Sequence, residues 1–163
     1  MTRRRVIARF HGKHDHSRCL EQALERADDT CAQKGLRLTQ LRRQVLALVW
    51  GSHTPVRAYD ILEGLRDKGH RPGPPTAYRA LEFLQDAGLV HRIESLNAYV
   101  GCGDPVPGHT GQFFICDHCD SVAEIHDLSV EHDLDRNAKR LGFHADHHTV
   151  EIHGICAHCR ASS

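Results

Sequence analysis

The sequence predicts an α+β chain of two modules: an N-terminal winged helix-turn-helix and a small C-terminal α/β dimerisation domain around a four-cysteine zinc site. Three observations predict it. Cys116-x-x-Cys119 is answered by Cys156-x-x-Cys159, and two such knuckles bring four thiolates to the corners of a tetrahedron, the closed geometry of structural zinc. Four stretches of the first hundred residues carry apolar side chains at helical spacing and lead into two short strands. A Gly/Pro-rich run, 101–110, separates halves of opposite charge.

The elements follow in order. Residues 1–17 are basic at the start and rich in histidine (His11, His14, His16), without apolar periodicity, and read as a disordered tail. From Arg18 to Lys34 the residues Cys19, Leu20, Ala23, Leu24, Ala27 and Cys31 share one helical face, so both cysteines are expected to be small buried side chains. Gly35 ends that helix. Thr39 is placed to cap a second, with Leu41, Val45, Leu46, Leu48 and Val49 turned inward. A third runs Ala58–Lys68, and a fourth opens at Pro75 and stops at Gly88. Leu89–Ile93 and Ala98–Val100 form a hairpin around 95–97. Helices ending in such a hairpin make a winged helix, whose last helix enters the major groove. Thr76, Tyr78 and Arg79 lie at the N-terminal end of the fourth helix, where an arginine can read guanine O6 and N7.

Residues 18–100 are therefore expected to bind DNA, 101–110 to act as a hinge, and 111–163 to form the second module. That module reads as strand 112–116, knuckle, strand 122–126, a helix 130–141 capped by Ser129, strand 149–155 and the second knuckle. Val130, Leu134, Ala138 and Leu141 give the helix an apolar stripe, and the exposed strand edge invites a second copy.

Charge and composition narrow the class. Residues 1–92 hold 17 Lys and Arg against 10 Asp and Glu, a net +7. Residues 93–163 hold 4 against 11, a net −7, together with nine histidines. A basic module suits phosphate, an acidic histidine-rich one cations. The 163 residues contain seven cysteines, an odd number, and no apolar run of secretory or membrane length, so thiolates in a reducing cytoplasm fit better than disulfides. A second constellation of metal donors lies around the hinge: His91 on the hairpin, Cys102 and His109 in the connector and Glu124 on the next strand. Its mixed nitrogen, sulfur and oxygen donors suit zinc, and the thiol argues against magnesium or calcium.

The run Pro75-Thr-Ala-Tyr-Arg-Ala-Leu-Glu-Phe-Leu, then Gly88-Leu-Val-His-Arg-Ile-Glu-Ser, Asn97-Ala-Tyr-Val and the Phe114-Ile-Cys-Asp-His-Cys knuckle resemble the ferric uptake regulator family. Within it they look most like the zinc uptake regulators of proteobacteria. The likeness spans about Arg18 to Arg160. It implies a cytoplasmic, homodimeric, zinc-responsive repressor that binds double-stranded operator DNA and controls zinc-uptake genes, with two zinc ions per subunit. Cys116, Cys119, Cys156 and Cys159 match the family's structural site; His91, Cys102, His109 and Glu124 match the regulatory site of the zinc regulators. Tyr59 and Arg79 match operator-contacting residues. Glu63 and Arg66 match a pair that links neighbouring dimers on one operator, although the first position is usually Asp. Iron sensors usually carry a His-rich run before the first CxxC where this chain has only His109, and peroxide sensors an Asp in place of Cys102. A sensor of another metal or of peroxide is the alternative within the family.

Two readings of another class compete. A zinc hydrolase would use Glu124 as base at an open coordination position, but four protein ligands close the site and no H-E-x-x-H is present. A thiol redox protein would use one CxxC, and the pairing of two argues against it. The six histidines at 126, 132, 144, 147, 148 and 153 have no motif; two readings stay open for them, a third and weaker metal site or solvated side chains on an acidic surface, the second being favoured.

Overall fold

The computed structural model describes residues 4–8, 16–52, 54–104 and 111–162. The chain divides into two compact units, Lys13–Pro107 and the combination of Met1–Gly12 with Gly108–Ser163.

The first unit contains α1 (His16–Gln33), α2 (Gln40–Trp50), α3 (Ala58–Asp67) and α4 (Pro74–Asp86), followed by β2 (Val90–Ile93) and β3 (Ala98–Gly101); β1 belongs to the other unit. On α1 the residues Ala23, Ala27 and Cys31 are buried at successive four-residue steps. Burial, reinforced by nearby Asp28, pushes the Cys31 thiol up from its ordinary value, which keeps it neutral as a packing group. Cys19 departs from expectation: it is only half-buried, because it lies about two turns before Ala27 and outside the core cluster. Thr39 caps α2 as predicted, its hydroxyl accepting from Arg42 N at 3.4 Å. Val45, Leu46 and Val49 then meet Ile61 and Leu65 of α3 and Leu81 and Leu84 of α4 in one core. The α2–α3 approach is close at Gly64, where a Cβ would lie 2.7 Å from the Leu48 side chain.

The fourth helix begins one residue earlier than predicted, with Gly73 as N-cap and Pro74 and Pro75 in its first turn. Prolines there remove amide donors that would otherwise lack partners. The hairpin pairs His91 with Val100, and Tyr99 also exchanges two backbone hydrogen bonds with Val56, at 2.8 and 2.9 Å, tying the wing to the segment before α3.

In the second unit, β4 (Gly111–Cys116), β5 (Val122–Asp127), α5 (Leu128–Arg140) and β6 (Thr149–Gly154) follow the predicted order, and the second knuckle, expected only as a turn, continues into a short helix, α6 (Ala157–Ala161). The unpredicted strand is β1 (Arg4–Ala8), which lies in the stretch expected to be a disordered tail. It pairs antiparallel with β5 in a sheet of order β1-β5-β4-β6, setting Arg5 opposite His126 and Ala8 opposite Glu124. The physical reason is the open edge of β5, whose free backbone groups accept an extended segment centred on the β-branched Val6 and Ile7. The helix α1 likewise begins at His16, inside the expected tail.

The cap of α5 is also corrected. Asp127, not Ser129, is the N-cap: its Oδ1 accepts from Ser129 N at 2.9 Å and from Ser129 Oγ at 2.6 Å. The expected apolar stripe of α5 stays largely uncovered within one chain. Leu134 and Leu141 are 38% and 83% exposed, and Phe143, Ile152 and Ile155 join them in exposure. No helix among the described residues is long and apolar enough to cross a membrane.

Candidate metal centre and nucleic-acid interface

The four predicted cysteines converge because β4 and β6 run parallel, in a register that sets Cys116 beside Gly154. Each strand ends at its knuckle, so the two CxxC turns are carried to the same end of the sheet. Their ligand atoms all lie within 4.8 Å of one another, and the Sγ atoms of Cys119 and Cys156 are 3.9 Å apart. A zinc–sulfur distance of about 2.3 Å implies tetrahedron edges of ~3.8 Å, so the cluster fits zinc with little adjustment.

Backbone amides shape it. Asp117 N donates to Gly154 O at 2.8 Å and Asp120 N to Cys116 O at 2.9 Å, closing the first turn around Asp120. Cys156 N donates to Cys116 Sγ at 3.3 Å, and Cys159 N to Cys156 Sγ at 3.5 Å. The amide of Cys156, ahead of those of His118 and Cys119, holds the Cys116 thiol down at about 6. Desolvation, followed by the neighbouring thiols of Cys156, Cys119 and Cys116, pushes Cys159 up to about 12. Two supporting residues escaped the sequence reading: His153 Nδ1 lies 2.8 Å from Asp117 Oδ1, bracing one knuckle against the strand that carries the other. The signal was present, since His153 stands three residues before Cys156, but only the parallel register shows that it faces Asp117.

These opposite shifts have a consequence for metal uptake. At pH 7 the metal-free cluster has largely lost the Cys116 proton and retains that of Cys159, which zinc must displace. Zinc binding is therefore expected to release protons, and to release more as pH falls toward 6, when Cys116 regains its own. Calorimetry of zinc binding in buffers of different ionisation enthalpy checks this; a heat independent of buffer contradicts it.

The other predicted donors are distributed as follows. His91 lies on β2 and Cys102 just beyond β3; their ligand atoms are within 4.8 Å of each other, and Cys102 is buried. Cys102 N donates to Leu89 O at 3.0 Å, which continues the hairpin ladder and turns the thiol to the His91 side. Glu124 is on β5, 2% exposed, and opposite Phe113 of β4. His109 lies outside the described residues, as does the hinge from 105 to 110. Of the six histidines without a motif, none joins a further cluster of three donors among the described residues. Instead, four lie near carboxylates: His126 by Glu131, His144 by Asp146, His148 by Asp135, and His153 by Asp117.

On the first unit, Thr76, Tyr78 and Arg79 stand exposed on the N-terminal half of α4, flanking the buried Ala77 that anchors it. Tyr59, 62% exposed, is at the start of α3, and Glu63 and Arg66 lie exposed one turn apart further along that helix. A shallow groove between the end of α3 and the start of α4 adds Arg66 and Arg71. Arg71 was passed over in the sequence because it sits in a loop with no periodicity to give it a face. Exposed cations beside a helix N-terminus form a surface suited to phosphate.

Comparisons with known proteins agree with this geometry. The model of the ferric uptake regulator family matches residues 33–153. The zinc uptake regulation protein of Escherichia coli (strain K12) is 41% identical over 140 residues, covering 85% of this chain and 82% of the relative. The structure of a zinc uptake regulator complexed with zinc and DNA matches with a TM-score of 0.84 and 40% identity, over 88% of this chain and 96% of that one. The crystal structure of holo XcZur matches at 0.79 and 43%, over 90% and 99%. Two modules in this order, a four-thiolate knuckle between β4 and β6 and relatives of this identity place the chain in the ferric uptake regulator family.

Proposed function

We propose that this protein is a zinc-responsive, DNA-binding transcriptional repressor and not an enzyme, acting in the cytoplasm as a homodimer on the operators of zinc-uptake genes. The observation that carries the reading is the pairing of a closed four-thiolate cluster with a separate His91–Cys102 donor pair on the wing. One set builds structure, and the other senses. Similarity to a zinc uptake regulator complexed with zinc and DNA supports both ligands.

In this reading each subunit takes two zinc ions. Cys116, Cys119, Cys156 and Cys159 hold the structural one. His91, Cys102, His109 and Glu124 hold the regulatory one, with donors drawn from both units and the hinge 101–110. Held by these four side chains, zinc would supply the shared ligation that couples the units. The α4 helices of a dimer then reach successive major grooves together more often, a shift of population and not a new fold. Residues 18–100 bind DNA, and 111–163, extended by β1, form the dimer. A second copy on the open β6 edge would cover the exposed Leu134, Phe143, Ile152 and Ile155. Tyr59, Thr76, Tyr78 and Arg79 face the operator. Glu63 and Arg66 suit contacts between two dimers on one operator. The thiolate at Cys102 favours zinc over ferrous iron at the regulatory site.

Gel shifts of the purified dimer on its own promoter DNA, titrated against free zinc, ferrous iron and manganese, test the proposal. Zinc is expected to tighten binding at lower free concentration than either other metal; equal response to iron would instead favour an iron sensor. Arg79→Ala is expected to cost ~1–3 kcal/mol of discrimination between operator and unrelated DNA while leaving zinc content intact. Binding-site selection with the variant checks it, and unchanged base preference would remove Arg79 from the reading side chains.

A further inference from the structure

We propose that Arg26 and Trp50 are positioning residues that hold the Cys102 thiol in place before metal arrives, so that they set the zinc affinity of the regulatory site. The inference rests on the reading of Cys102 as a regulatory ligand. Cys102 stands between two glycines, a sequence that by itself gives the backbone great freedom. The fold takes that freedom away on both sides. At Gly101, a Cβ would lie 2.3 Å from Cε2 and Nε1 of Trp50, so the backbone is seated directly against the indole. At Gly103 the carbonyl accepts a hydrogen bond from Arg26 Nη1 at 3.1 Å, bridging 77 residues of sequence. The two grips are themselves connected, since the Arg26 guanidinium lies 5.8 Å from the centroid of the Trp50 ring. Between them, Cys102 N donates to Leu89 O at 3.0 Å. Three consecutive residues are thus fastened to α1, α2 and the wing, and the ordering of the Cys102 backbone is completed on folding and not on metal binding.

Neither side chain is a ligand, and neither is needed to fill the deepest core. Arg26 is half-buried on α1, and Trp50 packs against the core cluster from its edge. Their common target is the pair of residues around Cys102. Groups that orient a metal ligand in this way typically change metal affinity by about 10–100-fold when removed.

The test uses the full-length protein with its structural zinc in place, competed against a chelator for the second zinc. Arg26→Gln is expected to weaken the second zinc at least about tenfold, with structural zinc content and thermal unfolding unchanged. Arg26→Lys, which keeps a donor for the Gly103 carbonyl but not the planar stacking on Trp50, is expected to recover part of the loss. Cobalt(II) at the second site gives an independent readout: the thiolate charge-transfer band from Cys102 should shift or weaken in Arg26→Gln. Trp50 is the only tryptophan, so its fluorescence should also report second-site filling in the wild type. Wild-type zinc affinity and an unaltered cobalt band in Arg26→Gln would overturn the proposal. A wild-type cobalt band that survives Cys102→Ser would show that Cys102 is no ligand. That result overturns the reading on which the clamp depends, and is distinguishable because it involves no Arg26 variant.

Discussion

Cys116→Ser is expected to strip the structural zinc from the protein and unfold the C-terminal unit while the first unit stays folded. Structural zinc in small domains contributes roughly 10–16 kcal/mol of apparent binding free energy at pH 7, comparable to or larger than the ~5–15 kcal/mol that separates a whole domain from its unfolded state. The unit has little to offset the loss. Its helix α5 buries none of its side chains within one chain, and its knuckles are joined by the thiolates and a few backbone bonds. Cys116 is also the most embedded of the four: its Sγ accepts the Cys156 amide, so serine breaks both a metal bond and the brace between the knuckles. The described core of α1–α4 and the wing is built from first-unit side chains such as Val45, Leu46, Ile61, Leu65, Leu81 and Leu84, so its cooperative melting should persist. Zinc analysis together with amide exchange resolved by segment checks this. Protected amides in β4 and β6 in a variant lacking that zinc would show that the sheet stands without its metal.

Cys102→Ser is expected to give the opposite phenotype. The variant should fold and keep its structural zinc, because Cys102 sits at the end of the hairpin ladder and its backbone bond to Leu89 does not need the thiol. What should vanish is the gain in DNA affinity on adding zinc, which typical coupling energies of ~1–3 kcal/mol place at about 5–150-fold. Serine removes a thiolate from a buried position where a hydroxyl is a poor donor to zinc. Gel shifts at fixed DNA and rising free zinc measure the coupling directly. A variant that still tightens on its operator with zinc would remove Cys102 from the sensor, and would leave the Cys116 prediction untouched.

Much of the architecture was legible in the residues. Apolar spacing placed four helices and the hairpin within a residue or two, because burial of one face is a local periodic property. Thr39 was readable as a cap for the same reason. The strand β1 was not legible: Arg4–Ala8 has no periodicity of its own and becomes a strand only because β5 offers it an edge. The cap of α5 was misplaced by two residues because Asp127 and Ser129 are both good caps, and the choice depends on where β5 stops. Cys19 and Cys31 looked alike on a helical wheel, and only the extent of the core distinguishes them.

The sequence by itself determined the donor chemistry: two spaced thiol pairs, a lone cysteine flanked by glycines, and a histidine on a hairpin strand. Spacing of ligands is a local property, and zinc constrains it tightly. Only the tertiary structure decided how those donors are held. The parallel pairing of β4 with β6 brings the knuckles together, and Arg26 and Trp50, 77 and 51 residues from the glycines they grip, fix the backbone of Cys102. Such contacts join positions far apart in the chain and leave no periodic trace, so they exist only once the fold has closed.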